Sequence, residues 1–161
     1  MRGGRPGVVV GVDGSDGGRI ALGWAAGHAR ANGLDCVALC AVEFPFISTS
    51  RYFVEALADL SDGRQAMLDA EVALVGAAGV EARVTVGQAV DVLVEASRTA
   101  ALLVVGTGGG PPGSLGPVAS GCVRRAHCPV LVARPAEAIP SIRQARVAAS
   151  GYRPGRRVAA G

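Results

Sequence analysis

The chain has 161 residues, of which 50% are hydrophobic and 18% are charged, and its formal net charge is +3. This composition excludes global disorder, and the length suits one domain with a single hydrophobic core. The basic residues are all arginines and form no basic stripe in the central part of the chain, so nucleic-acid binding is not expected.

The first predicted unit is a strand, a turn and a helix. Residues 8–12, VVVGV, form a continuous apolar run that is typical of a strand buried on both faces of a parallel sheet. The turn at 13–17, DGSDG, follows at the carboxyl end of this strand, where open α/β sheets bind their ligands. Ser15 or Asp16 can cap the next helix, which we predict over 17–31.

The following elements alternate between strand and helix patterns. A second strand is predicted over 35–42, and a helical region over 52–78, with an interruption near 61–63 left open. Residues 80–86 alternate apolar and charged side chains, which indicates a strand with one wetter face near an edge of the sheet.

The last predicted elements are a helix over 90–98, a strand over 101–105, a short helix over 117–126 and a strand over 129–133. Five strands therefore alternate with four helices. Because parallel neighbours need crossover helices, this alternation predicts an α/β fold with a doubly wound parallel sheet.

The two ends of the chain differ from its centre. After Arg134 the sequence has little apolar periodicity, so we interpret 1–136 as the folded domain and 137–161 as a basic, flexible tail. The first residues show neither a signal-peptide nor a membrane-span pattern. The four cysteines have no CxxC or zinc spacing, which indicates free thiols, and we expect a cytoplasmic protein.

A glycine-rich loop at 106–116 lies between an apolar strand and a helix. Glycines let the backbone approach a ligand closely, and N–H groups at the start of a helix attract anions. From these residues alone, a phosphate-binding loop and a plain turn between a strand and a helix are about equally good interpretations.

Both ends of the domain resemble the universal stress protein family. The segment 8–30, VVVGVDGSDGGRIALGWAAGHAR, is similar to the family's opening strand, Asp-Gly-Ser turn and helix, and 123–135, VRRAHCPVLVARP, is similar to its last helix and strand. The resemblance covers about Val8 to Pro135. It implies a Rossmann-like five-stranded parallel sheet with strand order 3-2-1-4-5 and helices on both faces, and a homodimer paired through the last strand, Pro129 to Ala133.

The resemblance also implies a site for ATP or another adenine nucleotide. In the ATP-binding members the adenine and ribose lie over the first loop, and the phosphates lie on a Gly-x-x-Gly-x9-Gly-Ser/Thr pattern. Mg²⁺ could accompany the nucleotide, with Asp13 and phosphate oxygens as its ligands. The nucleotide-binding residues that the resemblance implies here are Val12, Asp13, Gly14, Ser15, Val42, Gly106, Gly109, Gly116, Val118 and Ala119.

This chain departs from the family pattern at the phosphate end. Counting back from Cys128-Pro129 places the family's Gly-Ser on Gly116-Pro117, and the intervening loop is three residues short. Pro117 offers neither a backbone N–H nor a hydroxyl, and Pro111-Pro112 removes two more donors. Losing one or two charge-assisted hydrogen bonds, at roughly 1.5–3 kcal/mol each, would weaken ATP binding by about one to four orders of magnitude and favour AMP or ADP.

Two hypotheses for function follow. The first is a cytoplasmic stress-response protein that binds an adenine nucleotide, with reduced ATP affinity, and whose occupancy biases its contacts with protein partners. The alternative is a dimeric scaffold of the same family that binds no ATP and acts only through protein contacts. An enzyme is not expected, because no Ser-His-Asp set can be inferred and the lack of lysine excludes a lysine-containing Walker loop, so any ATP hydrolysis should be slow or absent.

Overall fold

The computed structural model describes residues 7–43, 51–108 and 114–134. A single turn of 3-10 helix at Ser97–Thr99 joins the third helix to the fourth strand, and the tail expected at 137–161 lies outside the described residues. The strands and helices of the described part are, in chain order, β1 (Gly7–Gly11), α1 (Asp16–Asn32), β2 (Cys36–Val42), α2 (Arg51–Leu74), β3 (Val80–Val86), α3 (Ala89–Ala96), β4 (Ala100–Gly106), α4 (Pro117–Arg125) and β5 (Val130–Ala133).

The strands form one parallel sheet with the order β3-β2-β1-β4-β5, which confirms the expected fold class and strand order. In the central strand, Val9 lies between Val37 of β2 and Leu103 of β4. From β1 the chain runs outward through β2 to β3, and it then returns to the other side of β1 to add β4 and β5. The carboxyl ends of β1 and β4 therefore border the point where the strand order reverses, which is where such sheets bind ligands.

Two hydrophobic layers cover the two faces of this sheet. Val8 and Val10 pack in a cluster with apolar residues of α1 and α2, whereas Val9 packs on the opposite face with Leu93 of α3 and Cys122 of α4. This division follows from the alternation of side chains along a strand. The two layers place α1 and α2 on one side of the point where the strand order reverses, and α3 and α4 on the other side.

The predicted elements are all present, and the bounds of all but β3 are shifted by a few residues. The helix α2 runs without interruption through Gly63, where an added Cβ would meet no atom within 4 Å. The strand β5 begins at Val130, although the carbonyl of Pro129 already accepts a hydrogen bond from the N–H of Leu103 at 3.0 Å. The alternating strand β3 lies at an edge of the sheet, and all four cysteines are free thiols, as the sequence indicated.

An ion pair joins the two helices of one layer. Arg19 of α1 donates from Nε to Oε2 of Glu71 in α2 at 2.7 Å and from its Nη2 to Oε1 at 2.8 Å. Glu71 is buried, and Arg19 also contacts the exposed Asp16 at 2.9 Å. The hydrogen bonds from Arg19 hold the pKa of Glu71 below its ordinary value, so the pair remains charged at neutral pH.

Replacing Glu71 with Gln should lower stability in a pH-dependent way. A carboxyl whose pKa is depressed by folding stabilises the fold above its unfolded pKa of about 4.3, and this contribution is lost as the pH falls through the lower folded value. The urea midpoint of Glu71→Gln should therefore lie below that of the unmodified chain at pH 7 and converge with it towards pH 3. Glu95→Gln, which removes an exposed pair with Arg98, is the control and should shift stability by less than about 0.5 kcal/mol. A midpoint difference that stays constant between pH 7 and pH 3 would contradict this account.

Candidate functional site

The carboxyl ends of β1, β2 and β4 border a cleft of about 370 Å³. This volume lies in the lower part of the ~300–1,000 Å³ range of small-molecule sites. Both layers contribute to its walls, with Arg64 from α2 on one side and Leu93 from α3 and Ala119 from α4 on the other. The cleft thus lies at the reversal point of the sheet, where the sequence predicted a binding site.

The Asp-Gly-Ser turn after β1 is fixed by a chain of hydrogen bonds. Asp13 Oδ1 accepts from the N–H of Ser15 at 3.0 Å and from its hydroxyl at 2.5 Å, and Ser15 Oγ accepts from the N–H of Gly18 at 3.1 Å. Ser15 is therefore the N-cap of α1 and a positioning residue for Asp13. No described residue donates to Oδ2 of Asp13, so this oxygen can accept a hydrogen bond from a ligand hydroxyl or amide.

Glycines allow the first turn of α1 to approach the end of β4. A Cβ atom added at Gly106 would lie 2.6 Å from the carbonyl carbon of Gly17, and one added at Gly18 would lie 2.8 Å from Asp13 Oδ1. Neither position has room for a side chain. The floor of the cleft is consequently made of backbone, which a ligand can approach closely.

The two ends of the glycine-rich loop are pinched together beside α4. The N–H of Gly116 donates to the carbonyl of Thr107 at 2.7 Å. Gly108 has a φ of 77°, and a Cβ added there would lie 3.1 Å from the Cα of Gly116. Pro117 is the first residue of α4 and has no N–H, so the donors of the first turn without an intrahelical partner are those of Val118 and Ala119.

Most of the residues that the sequence implied for the site border the cleft. Gly14 instead holds the turn with a φ of 84°, and the carbonyl of Val42 accepts a hydrogen bond from the N–H of Gly87 at 2.9 Å. Gly109 and Pro111-Pro112 lie outside the described residues. The implied residues that line the cleft are Val12, Asp13, Ser15, Gly106, Gly116, Val118 and Ala119.

Sequence reasoning missed the contributions of β2 and α2. Leu39 lies opposite Gly11 in the register of the sheet, so residues 39–41 are level with the start of the Asp-Gly-Ser turn and line the cleft in place of Val42. Arg64 comes from the middle of α2. The apolar run of β2 did not indicate that residues 39–41 line the cleft. The helical pattern around Arg64 did not distinguish it from an ordinary exposed arginine.

The charges around the cleft are few. Asp13 and Arg64 are the charged side chains among the described residues that line it. The N-terminus of α3 is already paired, because the N–H of Ala89 donates to Oε1 of Glu43 at 3.0 Å. Burial raises the pKa of the Cys40 thiol. The charge of Arg64 lowers this pKa and the charge of Asp13 raises it, and the thiol stays protonated at neutral pH.

Ser15→Ala should destabilise the protein by about 1 kcal/mol, within the range of 0.5–2 kcal/mol for loss of an N-cap, because the N–H of Gly18 loses its acceptor. Urea denaturation gives this value. Ser120→Ala is the control, since the Ser120 hydroxyl makes only a 3.5 Å contact with the carbonyl of Leu115. Equal effects of the two substitutions would contradict the capping role of Ser15.

A model of the universal stress protein family matches residues 6–134. Universal stress protein Rv2623 of Mycobacterium tuberculosis (strain H37Rv) is 30% identical to the chain over 139 residues. This match covers 78% of the chain and 46% of that relative, so the chain spans about half the length of the curated protein it matches.

Solved structures share the fold of this chain. A universal stress protein crystallised in complex with cAMP is 31% identical, with a TM-score of 0.63, and the match covers 79% of this chain and 95% of that one. A family protein of Arabidopsis thaliana with AMP bound has a TM-score of 0.53 over 86% of this chain and 97% of its own, and at 23% identity it supports the fold alone. In the described residues, no helix is long and apolar enough to cross a membrane.

Proposed function

Because the chain belongs to the universal stress protein family, we propose that it binds an adenine nucleotide in the cleft at the carboxyl ends of β1, β2 and β4. The observation that carries the proposal is the carboxylate of Asp13. Ser15 holds it through Oδ1, and Oδ2 has no donor among the described residues. The cAMP complex of a relative that is 31% identical supports an adenine ligand.

The polar groups of the cleft suit the parts of a nucleotide. Asp13 Oδ2 would accept from a ribose hydroxyl, and the N–H groups of Val118 and Ala119 would donate to phosphate oxygens. Apolar side chains that line the cleft, including Val12, Leu39 and Leu93, would contact the purine ring.

The phosphate end favours short nucleotides. Pro117 has no N–H, and the N–H of Gly116 is already bonded to the carbonyl of Thr107. The loop that ends at Gly116 is also three residues shorter than the family pattern. We therefore expect AMP or ADP to bind more tightly than ATP. Mg²⁺ would be held mainly by phosphates and water, because Asp13 is the carboxylate that lines the cleft and one of its oxygens is committed to Ser15.

The role we propose is binding without rapid turnover, in a cytoplasmic response to stress. Neither of the two histidines, both of which are described, lines the cleft, and His28 is stacked on Trp24. The free thiols accord with a reducing compartment. Nucleotide occupancy would then bias contacts with protein partners.

Titration calorimetry of the nucleotide-stripped chain tests the proposal. AMP should bind, ATP should bind more weakly, and Asp13→Ala should weaken AMP by about 10- to 100-fold, because a hydrogen bond to a charged group is worth roughly 1.5–3 kcal/mol. Asp16→Ala is the matched control, since this neighbouring exposed carboxylate contacts Arg19 and does not line the cleft.

ATP binding at least as tight as AMP binding would contradict the expected weakness of the phosphate end. Absence of heat with millimolar AMP, ADP, ATP and cAMP would contradict adenine-nucleotide binding itself. That second result would favour the alternative function, a scaffold of the same family that acts through protein contacts. The supporting observation is that the described residues Gly116 and Pro117, at the start of α4, offer no free N–H to a phosphate.

We also propose that the chain forms a homodimer through its last strand, Pro129 to Ala133. The strand β5 lies at the edge of the sheet, where unpaired backbone groups favour pairing with another chain. The carbonyl of Pro129 points to β4, so the alternation of the strand directs the backbone groups of Val130 and Val132 outward.

Val132→Pro should convert the dimer into a monomer without unfolding it, because this substitution removes an outward N–H that β4 does not use. Sedimentation equilibrium at micromolar concentration gives the mass, and Val132→Thr, which keeps the N–H, should remain dimeric. A monomeric mass for the unmodified chain, or a dimer for Val132→Pro, would contradict pairing through this strand.

A further inference from the structure

The cleft contains one positively charged side chain, that of Arg64, among the residues that the structure describes. Arg64 lies in the second half of α2, and the residue is exposed. The rest of the lining is apolar, glycine or small, apart from Asp13. Arg64 is therefore the side-chain cation of the described lining that can attract an anion.

Several other described arginines have carboxylate partners. Arg19 is paired with Glu71, Arg98 with Glu95 and Arg125 with Asp91, at N–O distances of 2.7–2.8 Å. Arg64 forms no salt bridge or side-chain hydrogen bond with a described residue. Its guanidinium thus has no ion pair with a described residue that a ligand would have to break.

Arg64 reaches the cleft from the wall opposite α4. The helix α2 belongs to the layer with α1, whereas the N-terminus of α4 belongs to the other layer. Arg64 and Cys40 both line the cleft, and the positive charge of Arg64 lowers the pKa of that thiol against the effect of burial. A ligand seated between these walls would have Arg64 on one side and the N–H groups of Val118 and Ala119 on the other.

The first turn of α4 offers a phosphate two N–H groups, those of Val118 and Ala119. Pro117 has no N–H and the N–H of Gly116 is committed to Thr107. A guanidinium presents several N–H groups in a planar fork that matches phosphate oxygens and remains charged at any physiological pH. Arg64 supplies the charge that the shortened loop lacks.

We propose that Arg64 contacts the phosphate of the bound nucleotide and makes the cleft selective for phosphorylated over unphosphorylated adenosine. The inference rests on the proposed adenine-nucleotide function and adds to it a specificity-determining residue on α2. Selectivity then depends on one charge on the wall of the cleft opposite the N-terminus of α4.

Paired titrations of AMP and adenosine test the inference, with Arg64→Gln and Arg64→Lys as variants. Arg64→Gln should weaken AMP binding by about 10- to 100-fold and change adenosine binding by less than about twofold, because only AMP carries the anion. Arg64→Lys should restore part of the AMP affinity, since it keeps the charge and loses the fork. AMP binding should also become less dependent on salt in Arg64→Gln than in the unmodified chain.

The control is Arg98→Gln, which removes the same charge just before the amino end of β4, whereas the cleft lies at the carboxyl ends of the strands. It should leave AMP and adenosine binding unchanged. Circular dichroism and urea midpoints establish that each variant is folded, which the exposure of both arginines leads us to expect.

The outcomes separate this inference from the function on which it rests. AMP binding that Arg64→Gln leaves unchanged, or an equal loss of AMP and adenosine binding in that variant, would overturn the role of Arg64 and leave the nucleotide site standing. Absence of binding of both ligands by the unmodified chain would overturn the two together.

Discussion

The close contact between the first turn of α1 and the end of β4 is the constraint from which the site follows. Gly17 and Gly106 meet at a distance that excludes any side chain at Gly106. This contact sets the position of the start of α1, and the cap by Ser15 then fixes the turn that carries Asp13. The carboxylate of Asp13 and the glycine backbone beside it are therefore held in place by contacts within the protein, before any ligand binds.

The small side chains of the two layers allow this geometry to extend through the domain. Ala21 and Ala25 of α1 are fully buried against the sheet, and valines dominate β1. Helices with such faces can lie close to the strands, and both layers contribute residues to the cleft at the carboxyl ends of the strands. The ion pair between half-buried Arg19 and buried Glu71 fixes the spacing of α1 and α2.

Elements with a strong local pattern could be predicted from the sequence, and positions that depend on packing between elements could not. The continuous run of β1 and the alternation of β3 gave their burial correctly, because each pattern reports the faces of a single strand. The lining by residues 39–41 depends on the register between β1 and β2, which neither strand encodes alone. Arg64 enters the cleft because of the rotation of α2 about its axis, and the bond from Gly116 to Thr107 depends on how a loop closes.

The pinched base of the glycine-rich loop separates the length of that loop from the placement of α4. Thr107 and Gly108 hold Gly116 directly, so the helix begins at the same point whatever number of residues lies between them. The entropy of closing a flexible loop changes only slowly with its length. Residues can therefore be added to or removed from the segment between Gly108 and Gly116 without moving the start of α4. Such a base makes the segment a convenient place for engineered insertions.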